Sequence, residues 1–304
     1  MTALRVGYYP GCSMQGTSKD YSESMLAVAK ALDIELAEVP QWNCCGSSPA
    51  HMIDHLLSVA LPVNVLLKAK KAGLREVMTP CAACYNRLAM GAHEIATSAA
   101  TKAQVAKVLE TKESDLDRLP RVMNIVELLA NASDRIAANL KQKFEQTVAC
   151  YYGCLLVRPA KVTGFDKTED PQEMDKLVAA VGGKTIDWNF KTECCGASFS
   201  ISRTSVVGRL GAKIVEDAAK RQAEAIVVAC PMCHSNLDLR RGEINQRLAA
   251  EGATKSAIPV LYITQVIGLA LGIPGKKLGL RRHFVPVAFP AKPALPPAPA
   301  PAAH

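Results

Sequence analysis

Aromatic residues make up only 5% of this 304-residue sequence, and no stretch interleaves them with lysine and arginine. That argues against a surface that stacks nucleic-acid bases, although the net charge is +8. Part of that charge sits late in the chain, at Lys276, Lys277, Arg281 and Arg282. It suits steering of an anionic substrate or an acidic partner. Long apolar runs are also missing. The most apolar late segment, Ile258 to Ile273, contains Pro259, Thr264 and Gln265 and stops at Pro274, which is too short and interrupted for a transmembrane segment. No secretory signal is visible either, because Met1 to Tyr9 enters a strand-like run directly. The expectation is a cytoplasmic protein without transmembrane segments.

Cysteine is abundant by contrast, with eleven residues. In a reducing compartment, clustered cysteines point to metal or redox chemistry, since ordinary disulfides stay open there.

The cysteines recur as a pattern. The first half carries Tyr8-Tyr9-Pro10-Gly11-Cys12, Asn43-Cys44-Cys45-Gly46 and Cys81-Ala82-Ala83-Cys84. The second carries Tyr151-Tyr152-Gly153-Cys154, Glu193-Cys194-Cys195-Gly196 and Cys230-Pro231-Met232-Cys233. The intervals are alike: 31 and 39 residues separate the first cysteine from the pair, and 35 and 34 separate the pair from the third group. Beyond the cysteines, Pro120–Leu129 echoes Pro259–Ile267, each a short strand feeding an apolar helix. The chain is read as a tandem repeat: residues 1–143, residues 144–285, and a Pro- and Ala-rich tail over 286–304.

Within each repeat, short β-branched runs alternate with helical periodicity. Strands are expected at Leu4–Tyr9, Ile34–Val39, Arg75–Thr79, Thr147–Tyr152 and Ala225–Ala229. Helices are expected at Ser22–Leu32, Ile53–Lys71 (where Pro62 is able to introduce a break), Asn131–Lys143, Gln172–Val181 and Arg203–Arg221. The fold class is α/β: two similar units, each a small, mostly parallel sheet with flanking helices, related by a pseudo-twofold axis. The cysteines fall at the carboxyl ends of strands, where open α/β sheets hold ligands.

Adjacent cysteines diverge, so Cys44 and Cys45 reach two neighbouring metals more easily than one, and Gly46 permits a positive φ. Zinc takes four ligands in a closed tetrahedron. Five thiolates, two of them adjacent, fit a multi-iron cluster better. Zinc in one or both repeats is the rival reading, and Cys150 reads as a buried hydrophobe. Tyr8, Tyr9, Tyr151 and Tyr152 stand beside the first cysteines, as core packing or as hydrogen-bond donors to a substrate sulfur. His234 follows a ligand candidate, where it lines the pocket or caps a helix. Asn86 and Asn236 are expected to cap or orient the turns after the third groups. His51 and His55, four apart, read as a solvated face rather than a metal pair.

These motifs resemble the cysteine-rich CCG domain, and the tandem resembles the B subunit of heterodisulfide reductase over about residues 4 to 275. The second repeat is especially similar, at Tyr152-Gly153-Cys154, Arg158-Pro159, Cys194-Cys195-Gly196-Ala197, Cys230-Pro231-Met232-Cys233-His234 and Gly242-Glu243-Ile244-Asn245. The resemblance implies two non-cubane 4Fe-4S clusters. Cys12, Cys44, Cys45, Cys81 and Cys84 would hold one, and Cys154, Cys194, Cys195, Cys230 and Cys233 the other. It implies clusters that face each other and split a disulfide between them. It also implies flavin (A) and iron–sulfur (C) partner subunits. Trp42-Asn43 and Gly46-Ser47-Ser48 make the first pocket differ from the second. Together with the tail, this favours the bacterial sulfur-oxidising relative acting on a small disulfide, thiol or lipoyl-bound sulfur. The alternative is an electron-transfer or docking subunit of a flavin-containing succinate, lactate or glycolate oxidising complex.

Overall fold

The structure is a computed structural model and describes residues 4–47 and 50–288, apart from the side chain of His51. Two four-stranded sheets, both wholly parallel, organise the chain. The first contains β1 (Leu4–Tyr8), β2 (Ile34–Glu38), β3 (Glu76–Thr79) and β4 (Arg121–Asn124) in the order β2-β1-β3-β4. The second repeats that order as β6-β5-β7-β8, from β5 (Thr147–Tyr151), β6 (Lys184–Thr185), β7 (Ala225–Val228) and β8 (Val260–Tyr262). The order reverses between β1 and β3, and again between β5 and β7, which opens a crevice at the carboxyl ends of those strands.

Helices α1 (Gly11–Gln15), α2 (Lys19–Ala31), α3 (Ala50–Ile53), α4 (His55–Lys71), α5 (Ala82–Thr97), α6 (Ala99–Val108), α7 (Ile125–Asn131) and α8 (Ser133–Asn139) serve the first repeat. The second has α9 (Ala160–Thr163), α10 (Glu173–Ala180), α11 (Thr204–Lys220), α12 (Pro231–His234), α13 (Arg241–Ala250) and α14 (Ile263–Ala270). The echo between residues 120–129 and 259–267 has a local cause. Asn124 caps α7 by accepting from Glu127 N at 3.0 Å. In the equivalent turn, Gln265 Oε1 accepts from Tyr262 N at 2.9 Å.

Pro62 does not break α4, although the sequence allows a break there. Its ring lies over Gly91 of α5, where a Cβ would come within 2.9 Å of Pro62 Cγ, so tight helix–helix packing holds the turn without the missing N–H. The helix expected over Asn131–Lys143 is shorter, because α8 ends at Asn139. The following segment is held instead by Lys141 N and Gln142 N, which both donate to Ala270 O.

One hydrophobic core runs through both repeats. The repeats exchange helices to build it: α2 of the first packs on α14 of the second, and α10 of the second packs on α7 of the first. Ser24 and Thr264 share a buried hydrogen bond of 2.7 Å across the α2–α14 contact. In the other direction Asn86 Nδ2 donates to Arg158 O at 2.7 Å, and Tyr85 Oη donates to Thr163 O at 2.9 Å. From Phe289 onward the Pro- and Ala-rich stretch lies outside the described residues.

Candidate metal centres

Every strand that borders a crevice ends in a cysteine-bearing loop. After β1 the chain turns at Gly11 (φ 64°) into Cys12. After β2 it reaches Cys44 and Cys45, and after β3 Cys81 sits at the N-cap of α5 with Cys84 in the first turn. The helix N-terminus favours thiolate charge there. The second repeat follows suit, with Gly153 (φ 69°), Cys154, the pair Cys194–Cys195, and Cys230 at the N-cap of α12.

The thiols meet. Cys45 Sγ lies 3.3 Å from Cys84 Sγ, and Cys195 Sγ lies 3.7 Å from Cys233 Sγ. Gly46 N and Gly196 N donate to Cys44 Sγ and Cys194 Sγ at 3.4 and 3.3 Å. At Gly11 an added Cβ would stand 3.0 Å from Cys84 Sγ, and at Gly153 it would stand 2.9 Å from Cys233 Sγ. The left-handed φ and the closeness of sulfur both call for glycine at these two positions. Each set has a buried floor, Cys45, Cys81 and Cys84 in one and Cys195, Cys230 and Cys233 in the other. Cys12, Cys44 and Cys194 are exposed and Cys154 is half-buried, so each set opens to solvent on one side.

Such packing redistributes protons. Contact with Cys44 and Cys84 draws the Cys45 thiol down to about 3, while the thiols of Cys44 and Cys84 are pushed up by hydrogen bonding to Cys45. Cys194 is drawn down to about 6 by Cys154, which is itself pushed up. Cys230 is held well below the usual thiol range by Cys233 and Cys81, and Cys233 is pushed up by Cys195 and Cys230. Five thiols in one pocket cannot all ionise unaided. A polyvalent metal centre releases their protons and balances their charge. Five convergent soft donors, two of them adjacent, under a glycine cradle fit a bridged iron–sulfur centre.

The two buried floors adjoin: the carbonyls of Pro80 and Ala229, the residues just before Cys81 and Cys230, lie 3.4 and 3.2 Å from one phenol, Tyr21 Oη. Consistent with that, Cys81 is pushed up chiefly by Cys230, one residue from each repeat.

Tyr9 Oη donates to Asn43 O at 2.9 Å and Tyr151 Oη donates to Glu193 O at 2.5 Å, the carbonyls just before each cysteine pair. Both phenols are pushed up, first by burial and then by the surrounding thiols. Structurally Tyr9 matches Tyr151, so the two Tyr-Tyr pairs are offset by one position. Tyr152 instead donates to Asp175 Oδ2 at 2.7 Å, and burial and Glu38 push Tyr8 up. Neither of these two is a donor at the thiols.

His234 is buried. Its Nε2 lies 3.1 Å from Val260 O, and its ring stacks on Tyr262 and not on the thiols. Burial and the nearby His283 hold its imidazole well below the usual range. The asparagines do not cap their own turns. Asn86 reaches the other repeat, and Asn236 Nδ2 donates to Cys195 O at 2.9 Å, with Cys195 Sγ at 3.8 Å. A π-helical turn, Ser235–Leu239, aims it there. Cys150 is buried in β5, where desolvation pushes its thiol up. Exposed His55 pairs with Glu94 at 2.5 Å, while the His51 side chain lies outside the described residues. Sequence reasoning missed Tyr21, Asp175 and Lys191. Tyr21 lies just before the helix expected at Ser22–Leu32, Asp175 lies on the buried face of α10, and Lys191 lies in the turn before Cys194, so no pattern singles them out.

The model of the cysteine-rich CCG domain matches residues 6–89 and 148–238. The chain is 30% identical over 279 residues to the 8-methylmenaquinol:fumarate reductase membrane anchor subunit of Wolinella succinogenes, covering 91% of this chain and 96% of that protein. It is 26% identical over 286 residues to the B subunit of the ferredoxin/F(420)H(2)-dependent CoB-CoM heterodisulfide reductase of Methanosarcina acetivorans, covering 92% and 94%. A hypothetical protein of Helicobacter pylori shares the fold with a TM-score of 0.65 at 12% identity. That match covers 94% of this chain and 52% of the other. No helix among the described residues is long and apolar enough to cross a membrane. With two copies of the domain and full-length similarity to such B subunits, the chain belongs to the cysteine-rich CCG family in its tandem, heterodisulfide-reductase-B-like form.

Proposed function

We propose that the protein is the iron–sulfur subunit of an oxidoreductase that performs thiol–disulfide chemistry between two non-cubane 4Fe-4S clusters. Residues 1–143 carry one, on Cys12, Cys44, Cys45, Cys81 and Cys84. Residues 144–285 carry the other, on Cys154, Cys194, Cys195, Cys230 and Cys233. The observation behind this reading is that the two five-thiol sets adjoin at Cys81 and Cys230, whose preceding carbonyls both lie within 3.4 Å of Tyr21 Oη. Cleaving one S–S bond to two thiols takes two electrons and two protons, and two facing one-electron centres match that demand.

When bound, each cluster supplies one electron and a soft site for sulfur. The chain does the rest. Cys45, Cys81 and Cys84, with Cys195, Cys230 and Cys233, form the dry floors, while the sides at Cys12, Cys44 and Cys194 stay open to a small substrate. Tyr9 and Tyr151 fix the loops that present the cysteine pairs. Asn236 places a donor beside Cys195, where it tunes the second centre. Flavin (A) and iron–sulfur (C) subunits supply or remove the electrons. The substrate is a small disulfide, a thiol or a lipoyl-bound sulfur, and in the oxidising direction the same chemistry serves sulfur oxidation.

The 30% identity to a fumarate reductase anchor subunit favours a second reading, an electron-transfer and docking subunit of a flavin-containing complex. Both readings give about eight iron atoms per chain, two four-iron clusters' worth. Anaerobic purification followed by EPR with and without a small disulfide separates them. A disulfide-dependent change in the cluster signal of the isolated protein supports the first, and an unchanged signal favours the second. Zinc in place of iron would remove both.

A further inference from the structure

Cys81 and Cys230 each follow a residue whose carbonyl approaches the same side chain. Tyr21 Oη lies 3.4 Å from Pro80 O and 3.2 Å from Ala229 O. Tyr21 belongs to α2 of the first repeat and is wholly buried. Its ring stacks on Tyr262 of the second repeat, with centroids 3.8 Å apart and planes within 8°. Tyr262 stacks in turn on His234, the residue after Cys233, at 4.2 Å. A single phenol is thus fixed in orientation by the second repeat, and its O–H is shared between the strand-end carbonyls of both repeats.

We propose that Tyr21 is the positioning residue that clamps the Pro80–Cys81 and Ala229–Cys230 turns together and so sets the electronic coupling between the two metal centres. This rests on the two-cluster reading above and not on the identity of the substrate. The ring alone would satisfy the stacking, so a phenylalanine would pack as well. The hydroxyl is what joins the two turns. Because the turns that carry Cys81 and Cys230 meet at this one phenol, a small displacement of either turn acts directly on the path between the centres. A nearby bond supplies a comparison: Ser24 Oγ and Thr264 Oγ1, 2.7 Å apart, also join α2 to the second repeat, and Ser24 Oγ reaches Tyr21 at its backbone carbonyl, 3.0 Å away, rather than at its phenol.

The test compares full-length wild type, Tyr21→Phe and Ser24→Ala, prepared anaerobically. Iron content, EPR of the fully reduced protein and a redox titration are measured for each. The expected result is wild-type iron in all three and a magnetic interaction between the centres in wild type and Ser24→Ala. In Tyr21→Phe that interaction is weakened or lost, and the two reduction steps shift relative to each other. Wild-type coupling in Tyr21→Phe overturns the proposal. So does an equal effect of Ser24→Ala, which would make the role one of general packing, or loss of iron from Tyr21→Phe, which would make it a folding residue. A wild type whose two centres show no interaction overturns it as well. An iron-free wild type removes the cluster reading and the clamp together. Iron-loaded protein that ignores disulfides removes only the thiol–disulfide assignment and leaves the clamp standing.

Discussion

In the first repeat, α5 runs unbroken from Ala82 to Thr97. In the second, the same stretch is divided into α12, a π-helical turn and α13. The cysteine spacing is nearly the same in both, so the break changes the wall of the pocket rather than its ligands. Asn236, three residues after Cys233 and within the π-helical turn, donates to Cys195 O, whereas Asn86, two residues after Cys84 in the unbroken helix, reaches the neighbouring repeat. Thiol acidity differs too. The first set concentrates thiolate character on buried Cys45, and the second divides it between open Cys194 and buried Cys230. The duplicated cysteine sets thus have unequal environments, and on the two-cluster reading proposed above unequal reduction potentials are expected from the unequal hydrogen bonding and exposure.

The strongest way to break this comparison is to remove one ligand from each side. Cys45→Ser and Cys195→Ser are each expected to cost about half of the iron, one four-iron cluster's worth, and to leave the other centre's spectrum intact. Iron and sulfide analysis on anaerobic protein checks this. Loss of all iron in either variant would show that the exchanged helices make the repeats one cooperative unit.

Next in size are the two cradle glycines. Gly11→Ala and Gly153→Ala each force a Cβ to about 3 Å from a ligand sulfur at a left-handed φ, which costs roughly 1–2 kcal/mol in the backbone alone. Each variant should lose the cluster of its own repeat and melt at lower temperature. Wild-type iron in both would mean that the cluster sits away from Cys84 and Cys233.

The first two predictions draw on what the sequence makes plain. A cysteine just past the end of each of three strands is visible as spacing, because parallel strands separated by a helix set the interval between one strand end and the next. The positive φ at Gly46, expected from its place after a cysteine pair, is present at 77°. Pro62, the helix exchange and the π turn were not legible. Periodicity tells that α2 and α10 bury a face, and the faces are equally apolar whether they meet their own sheet or the other repeat. Tyr21 is invisible for the same reason: at its position any large apolar residue would fit the pattern, and only the two carbonyls distinguish it.

The asparagines sharpen the comparison further. Asn86→Ala strips a donor from Leu155 O and Arg158 O, two part-buried hydrogen bonds whose loss costs about 1–2 kcal/mol. Thermal melting should record that loss with both cluster signals unchanged. Asn236→Ala should lower the melting temperature as well, since its hydrogen bond to Cys195 O is fully buried, but unlike Asn86→Ala it should also shift the potential of the second centre, because its amide lies beside Cys195 Sγ. Equal effects of the two on potential would erase the proposed division of roles.

The smallest effect expected at the metal centres concerns two buried aspartates on the exchanged helices. Asp175 on α10 is pushed up by burial, but Tyr152 and Lys191 offset this, with Lys191 Nζ at 3.4 Å. Asp20 on α2 is pushed up to about 6 by burial, which backbone hydrogen bonds only partly offset, and Asp238 and Glu23 add a smaller repulsion. An Asp whose folded value lies above its unfolded 3.8 binds more protons when folded, so stability falls as pH rises between the two values and stays lowered above the folded one. Asp20→Asn removes that cost. It should stabilise the protein by about 3 kcal/mol at pH 8, since each pH unit between the folded and unfolded values corresponds to roughly 1.4 kcal/mol, and by visibly less at pH 5. Asp175→Asn should destabilise instead, because it takes a partner from buried Lys191. Melting temperatures of both variants across that pH range give the answer. If Asp20→Asn melts no higher than wild type at pH 8, or its advantage does not shrink on acidification, the α2 carboxylate is compensated after all, and the two exchanged helices are electrostatically alike.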